Sequence, residues 1–271
     1  MGSEMCIRDS LSCVCVAYLL FFSQVWASKP TLDKKVTRTN FACLELTIGI
    51  DIGHSVRRGG ATSASGRKEY EFNRDLAVVL LERLRKLKAK AFIVETKGRT
   101  LALKERARRA AAKGATLLVS VHHDSVQPRY LKTRRHKGVT QRYSEKFSGF
   151  SVFVSAKNSH YLESLEFATA ISRRLMSEKF KPTLHHAEAI PGENRTLLDP
   201  RLGLYRFDGL GILRSASMPA LLLEAGVIVH PKEEQRLRAR AYQTAFANAV
   251  AHGILKTCST ATSSASKATG D

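Results

Sequence analysis

The sequence predicts an α/β fold: a single three-layer domain with a mostly parallel, mixed central sheet and helices on both faces. Two observations predict it. Short apolar runs of strand length alternate with longer amphipathic segments, the pattern of strands joined by covering helices. A chain of 271 residues that is 44% hydrophobic can also bury one sizeable core, and it shows neither an internal repeat nor a second stretch of domain size.

The folded part is expected at 41–256, in the following order. "LTIGIDI" is the first strand, and "EFNRDLAVVLLERLRKLKA" the first helix, because Leu76, Leu80, Leu84 and Leu87 recur on one helical stripe. Then come the strand "AFIVET", the helix "LALKERARRAAAKG" and the strand "TLLVSV". A basic insert at 126–148 carries Arg129, Lys132, Arg134, Arg135, Lys137, Arg142 and Lys146; it reads as a solvated loop, with a lid or a contact to an anionic glycan as the alternative. The strand "GFSVFVS" and the helix "SLEFATAISRRLMSE" follow. A Pro/Gly-rich connection then carries His185 and His186, read as surface loop histidines on a substrate-cleft wall, with metal binding as the alternative. The strand "PALLLEA" and one long helix, "EEQRLRARAYQTAFANAVAHGIL", complete the domain, and the Ser/Thr/Ala-rich 257–271 is expected to be a disordered tail.

The formal net charge of +20 predicts attraction to a polyanion: nucleic acid, an acidic membrane or an anionic cell envelope. The N-terminus chooses among these. Arg8 precedes an apolar stretch, and Val25 and Ala27 are small enough for cleavage before Ser28, so 1–27 reads as a secretory signal and 28–40 as a polar linker. The opening "MGSEMCIRDS" resembles translated adapter sequence. Leu11 to Ala27 is too short to span comfortably as a permanent helix, so no stable membrane anchoring is expected. An exported chain does not meet intracellular DNA, and no finger, RNA-recognition or homeodomain-like signature accompanies the charge, so nucleic acid is not an expected partner. Of the five cysteines, Cys43 and Cys258 remain after the signal; they read as two separate thiols, the alternative being a disulfide tying the domain ends together.

Ligands of open α/β sheets bind outside the carboxyl ends of the strands. Four apolar runs end there in ionisable groups: His54, Glu95, His122 and Glu224. Imidazole nitrogens and carboxylate oxygens are the donor set of a catalytic zinc, which takes three protein ligands and keeps one position for water. His122 and His123 point to opposite faces of a strand, so one is a ligand and the other faces a helix or solvent. From the residues alone the carboxylate ligand stays open among Glu69, Glu71, Glu95 and Glu224.

Four ordered motifs resemble the zinc-dependent N-acetylmuramoyl-L-alanine amidases of amidase type 3, which trim bacterial peptidoglycan. "IGIDIGH" followed by "GGA" is similar to the family's first-ligand loop, which makes His54 a zinc ligand. "GRKEYEFNRDLA" resembles the segment bearing the glutamate ligand and selects Glu69 over Glu71. "LLVSVHH" resembles the strand of the third ligand and selects His122, and "ILRSASMPALLLEAGVI" resembles the strand of the catalytic glutamate, Glu224. The resemblance implies one zinc ion, a general-base role for Glu224, and peptidoglycan as substrate, cut between the lactyl group of N-acetylmuramic acid and L-alanine. Asp51 reads as a residue that orients the His54 loop, with a turn or cap as the alternative. Arg106 matches a frequent arginine of the family and is expected in a buried ion pair. The chain departs from the family pattern at Ser55–Arg58, where glycines are usual, and at Ile52, His123, Asp124 and Val227.

A periplasmic or secreted peptidoglycan amidase is therefore expected, with anionic envelope polymers as further partners. Its rivals are another zinc amidohydrolase or carboxypeptidase with the same ligands, and a non-catalytic basic module that binds the wall.

Overall fold

The computed structural model describes residues 46–136 and 138–265. The expected signal, the linker at 28–40 and Cys43, with its pairing to Cys258, lie outside the described residues.

The first strand, β1 (Thr47–Ile52), leads through α1 (Glu69–Lys86) to β2 (Lys90–Ile93), and α2 (Leu103–Ala112) returns the chain to β3 (Leu117–Asp124). A hairpin of β4 (Lys132–His136) and β5 (Val139–Tyr143) precedes β6 (Ser151–Val154) and α3 (Tyr161–Ser177). Then come β7 (Thr196–Asp199), β8 (Leu204–Arg206), α4 (Gly211–Ser215), β9 (Ala220–Val227), α5 (Pro231–Arg238) and α6 (Arg240–Ala265). The sheet order is β2-β1-β3-β9-β6-β8-β7. β2, β1, β3 and β9 are mutually parallel, β6 runs antiparallel to β9, and β7 antiparallel to β8. This is the mixed α/β sheet that the apolar runs predict.

Period-two alternation sends neighbouring residues to two different cores. Ile48, Ile50, Leu117, Val119, Val121, Leu221 and Leu223 face α1, α3 and α6, whose Leu80, Leu84, Phe167, Ile171, Phe246 and Ile254 complete one buried cluster. Leu118, Phe153, Ala220 and Leu222 face the opposite side and pack with Ala107 and Ala110 of α2 and with Ile212 and Leu213 of α4. The sheet is thus buried on both faces, as its nearly continuous apolar strands require. Because α1 covers one face and α2 the other, the chain reverses its direction across the sheet between β1 and β3. A crevice opens at such a reversal, at the carboxyl ends of the strands.

Four expectations are corrected. The long last helix is broken at Ala239, whose ψ of 122° is extended, into α5 and α6. Alanine favours helix, so nothing local marks the break; burial of Glu233, Glu234 and Leu237 turns α5 aside, and the Gln243 side chain donates to the Leu237 carbonyl at 2.9 Å. Of the tail expected to be disordered, 257–265 continues α6 as helix, and 266–271 lie outside the described residues. The helical part holds no Gly or Pro, and adding residues to a packed helix is far cheaper than nucleating one. The basic insert is a hairpin, with Lys132 opposite Tyr143 and His136 opposite Val139. Gly138 turns it at φ 77°, a conformation glycine adopts without strain. The Pro/Gly-rich connection contains β7 and β8, both too short to show a period.

Gly253 sets the distance between α6 and α3. A Cβ there would lie 2.6 Å from the Ile171 Cα, which is backbone and cannot swing away. Gly253→Ala gains about 1 kcal/mol of helix propensity but overpacks at about 1–3 kcal/mol. The variant should unfold at lower denaturant than the parent, by an amount equivalent to up to about 2 kcal/mol.

Candidate metal centre

His122 ends the apolar part of β3 and is the register partner of Glu224 on β9. Both lie an even number of residues from Leu118, Ala220 and Leu222, so they share the α2 face of the sheet. His123 points the other way. It is buried beside Phe72 of α1, and its Nδ1 lies 2.8 Å from the Asn73 Oδ1. Burial pushes its imidazole down to about 3, so it is a neutral core group. Of the two histidines, His122 therefore reaches the crevice and His123 faces a helix.

Among the carboxylates left open, Glu69 is the one that lies between the two histidines. Glu69 opens α1, and its Oε2 lies 2.9 Å from the His54 Nε2 while its Oε1 lies 3.0 Å from the His122 Nδ1. Donor atoms of the three residues fall within 4.8 Å of one another, as one ion requires. Glu71 pairs with Arg67 at 2.9 Å, and Glu95 is taken up by the backbone and guanidinium of Arg99 at 2.7 and 2.9 Å. Burial alone would raise the Glu69 carboxyl, but hydrogen bonds to His122 and His54 and their charges outweigh it and hold the group well below the usual carboxylate range.

Backbone details fit this arrangement. His54 sits at φ 67°, a left-handed conformation that costs a non-glycine residue about 1–3 kcal/mol. Gly60, at φ 74°, closes over the pair; a Cβ there would lie 2.4 Å from the Glu69 Oε2 and 2.6 Å from the His54 ring. Gly53 likewise leaves room for the His122 ring, 2.4 Å from where a Cβ would stand.

Arg106 holds the strained loop. Its guanidinium donates to Asp51 Oδ1 at 2.9 Å, to the Ile52 carbonyl at 2.5 Å and to the His54 carbonyl, while Ser120 donates to the other Asp51 oxygen at 2.8 Å. The buried ion pair expected of Arg106 is present. Asp51 does not touch the His54 ring, so its hold on the loop passes through Arg106. Asn73 was not singled out as a site residue by its sequence, yet its Nδ2 lies 3.2 Å from both the Gly53 carbonyl and Glu69 Oε1. Its place four residues after Glu69 on a helix was the available signal.

Glu224 has an Oε2 that is shielded from solvent and lacks a hydrogen-bond partner among the described residues. Burial, with the charges of Asp124 and Glu69 nearby, pushes its carboxyl well up. It lines a pocket of about 170 Å³ with His186, Glu193, Arg195 and Phe207. His186 thus stands on a cleft wall, as expected, but neither it nor His185 is a surface residue: their side chains are 12% and 1% exposed. Burial disfavours a charge on His186, but Asp124 and Glu193 overcome it and push the imidazole up to about 10. A larger open groove, of about 1310 Å³, runs between residues 61–66, the hairpin and α5. Arg134 of the hairpin donates to the Ala64 carbonyl at 3.2 Å, so the hairpin is tied to the stretch between His54 and Glu69.

Two imidazoles and a carboxylate at the carboxyl edge of a mainly parallel sheet, beside a shielded glutamate, are the outline of a metallohydrolase. Comparison with known proteins gives the family. Residues 48–256 match the family model described as N-acetylmuramoyl-L-alanine amidase (Amidase_3). The chain belongs to that family and is an enzyme, an amidase. A solved N-acetylmuramoyl-L-alanine amidase from Clostridium difficile 630 shares its fold with a TM-score of 0.60 and 24% identity, over 78% of this chain and 95% of that one. Another, from Mycobacterium smegmatis, gives a TM-score of 0.63 at 18% identity over 81% and 100% of the two chains. A Buchnera aphidicola (subsp. Acyrthosiphon pisum) protein, provisionally named an N-acetylmuramoyl-L-alanine amidase, is 26% identical over 230 residues, 78% of this chain and 93% of that protein.

Removing Arg106 would leave Asp51 buried without its counter-charge and the His54 carbonyl without its donor. Arg106→Ala should lower unfolding stability by about 3–5 kcal/mol, read as a fall in denaturant midpoint with unchanged slope.

Proposed function

We propose that this chain is an exported, zinc-dependent peptidoglycan amidase. It hydrolyses the amide between the lactyl group of N-acetylmuramic acid and the L-alanine of the stem peptide. The observation that carries the reading is the convergence of His54, Glu69 and His122 within 4.8 Å, next to a glutamate with an unpartnered, shielded oxygen, in a chain of the amidase family.

The residues fit a zinc ion. Two neutral imidazole nitrogens and a carboxylate oxygen are its borderline donors, Gly60 and Gly53 keep the cradle clear of side chains, and Asn73 and Arg106 brace the residues that would hold the ion. When bound, zinc supplies Lewis acidity, acidifying water and polarising the amide carbonyl. Glu224 takes the proton of the attacking water and returns it to the departing amine nitrogen. Its low-dielectric setting keeps the proton affinity high enough for both transfers. His123, neutral and packed under α1, has no part in the proton path and serves to fix Asn73.

The groove between the hairpin and α5 gives a polymeric substrate a track beside the centre, and Arg134, Arg142 and Arg238 along it suit an anionic glycan or wall polymer. Export rests on the signal-like residues 1–27 and on the substrate, which lies outside the cytoplasm. No helix among the described residues is long and apolar enough to cross a membrane.

Purified peptidoglycan digested with the full chain and added zinc, analysed by mass spectrometry, should release intact stem peptides beginning with L-alanine, and a chelator should stop the release. Products cut within the stem peptide instead would show a peptidase and overturn the reading. Glu224→Gln should keep its zinc while turnover falls by about 10²–10⁴-fold. In zinc titrations His122→Ala should lose more than the roughly 10–100-fold in affinity that an outer partner is worth, and His123→Ala should stay within that range.

A further inference from the structure

The turn that carries His185 and His186 meets the end of β3 in a second cluster that the amidase chemistry does not use. The Asp124 Oδ2 lies 2.7 Å from the His186 Nε2 and 3.2 Å from the His185 Nε2, and the three donor atoms fall within 4.8 Å of one another. None of the three side chains is more than 12% exposed. We propose that Asp124, His185 and His186 form a second metal site, for a divalent transition ion of the zinc type.

The far sides of the rings carry the argument. A ligating histidine usually passes its other N–H to a carboxylate, carbonyl or hydroxyl, which fixes the ring and its tautomer. His186 Nδ1 lies 3.0 Å from the Glu193 Oε2, and Glu193 is itself held by Gln127 at 2.8 Å. His185 Nδ1 lies 2.8 Å from the Thr183 hydroxyl. Both Nε2 atoms therefore turn toward the same carboxylate oxygen from opposite supports, while Asp124 Oδ1 is occupied by the Ser125 amide at 2.7 Å.

His185 Nε2 is the atom that a network of hydrogen bonds alone leaves unexplained. It is buried and makes no hydrogen bond among the described residues, because its approach to Asp124 is off line. In the tautomer whose Nδ1 donates to Thr183, the Nε2 lone pair faces a carboxylate oxygen, an arrangement that repels until a cation stands between them. The two rings also lie against each other, tilted by 35° with centroids 4.0 Å apart, and Phe147 stacks on His185 at 4.9 Å. An ion on the His186 Nε2 would take the place of a proton there and keep the link to Asp124, with Nδ1 still free to donate to Glu193.

The donor set is the same as at the first centre, two imidazoles and one carboxylate, so the same class of ion suits it. Its place differs. The site would clamp the connection after α3 onto the end of β3, on the wall of the pocket that holds Glu224. The proposal stands independently of the reading of the first centre.

Metal content tests it. The full chain, stripped with a chelator, reloaded with zinc and desalted, should carry about two ions by mass spectrometry of the metal. His186→Ala and His185→Ala should each carry about one, and so should His122→Ala, whose first centre is broken. A parent with one ion that disappears in His122→Ala and persists in His186→Ala would overturn the proposal, as would a second ion that survives both His185→Ala and His186→Ala. One ion kept in His122→Ala and lost in His186→Ala would support this site while removing the first. Should the variants fail to fold, anomalous scattering from zinc-soaked crystals of the parent decides: a peak about 2.0–2.2 Å from Asp124 and both rings supports the site, and a peak at the first centre alone overturns it.

Discussion

The carboxylate of Glu69, with an imidazole on each oxygen, is the contact on which the site depends. It joins three pieces of chain that are remote in sequence: the loop after β1, the first turn of α1 and the end of β3. A buried carboxylate without partners is costly enough that it gives up its charge or its place. Here the Ala61 amide at 3.0 Å and Asn73 at 3.2 Å add to the two rings, so the charge is kept and the geometry is set by protein contacts.

That contact is affordable because the surrounding loop is braced from the other face of the sheet. His54 occupies a left-handed conformation, and Arg106, reaching over from α2, gathers Asp51 and the carbonyls of Ile52 and His54 to hold it there. The departure from glycine at Ser55–Arg58 is compatible with this bracing. Ser55 turns inward, with its hydroxyl 2.8 Å from Thr100 and accepting from the Arg58 amide at 3.0 Å, while Arg57 and Arg58 are exposed. The bulk of the loop thus points away from the crevice.

The other departures follow a similar logic. His123 takes a core position because Asn73 and Phe72 accept a neutral ring there. Asp124 faces His185 and His186, which arrive from a connection some sixty residues later, so the Asp and the histidine pair belong to one unit. Burial raises the shielded carboxyl of Glu224, and the charges of Asp124 in one cluster and Glu69 in the other add to it.

By itself the sequence determined the layered α/β architecture, because period-two apolar runs and leucine stripes report which faces are buried whatever their partners. It also determined that His54, His122 and Glu224 close apolar runs, which places them toward the carboxyl edge of the sheet where ligands bind. The motif resemblance then singled out Glu69 among four carboxylates. Only the tertiary structure decided the rest. Glu95 closes an apolar run as the others do, yet Arg99 occupies it, and no spacing reveals that. The break at Ala239 has no local marker, since packing of Leu237 and the Gln243 cap impose it on residues that favour helix. The pairing of Asp124 with His185 and His186 was hidden for the same reason: a loop reads as solvated until the fold shows what it is pressed against, and burial is a property of contacts between distant residues, not of the residues alone.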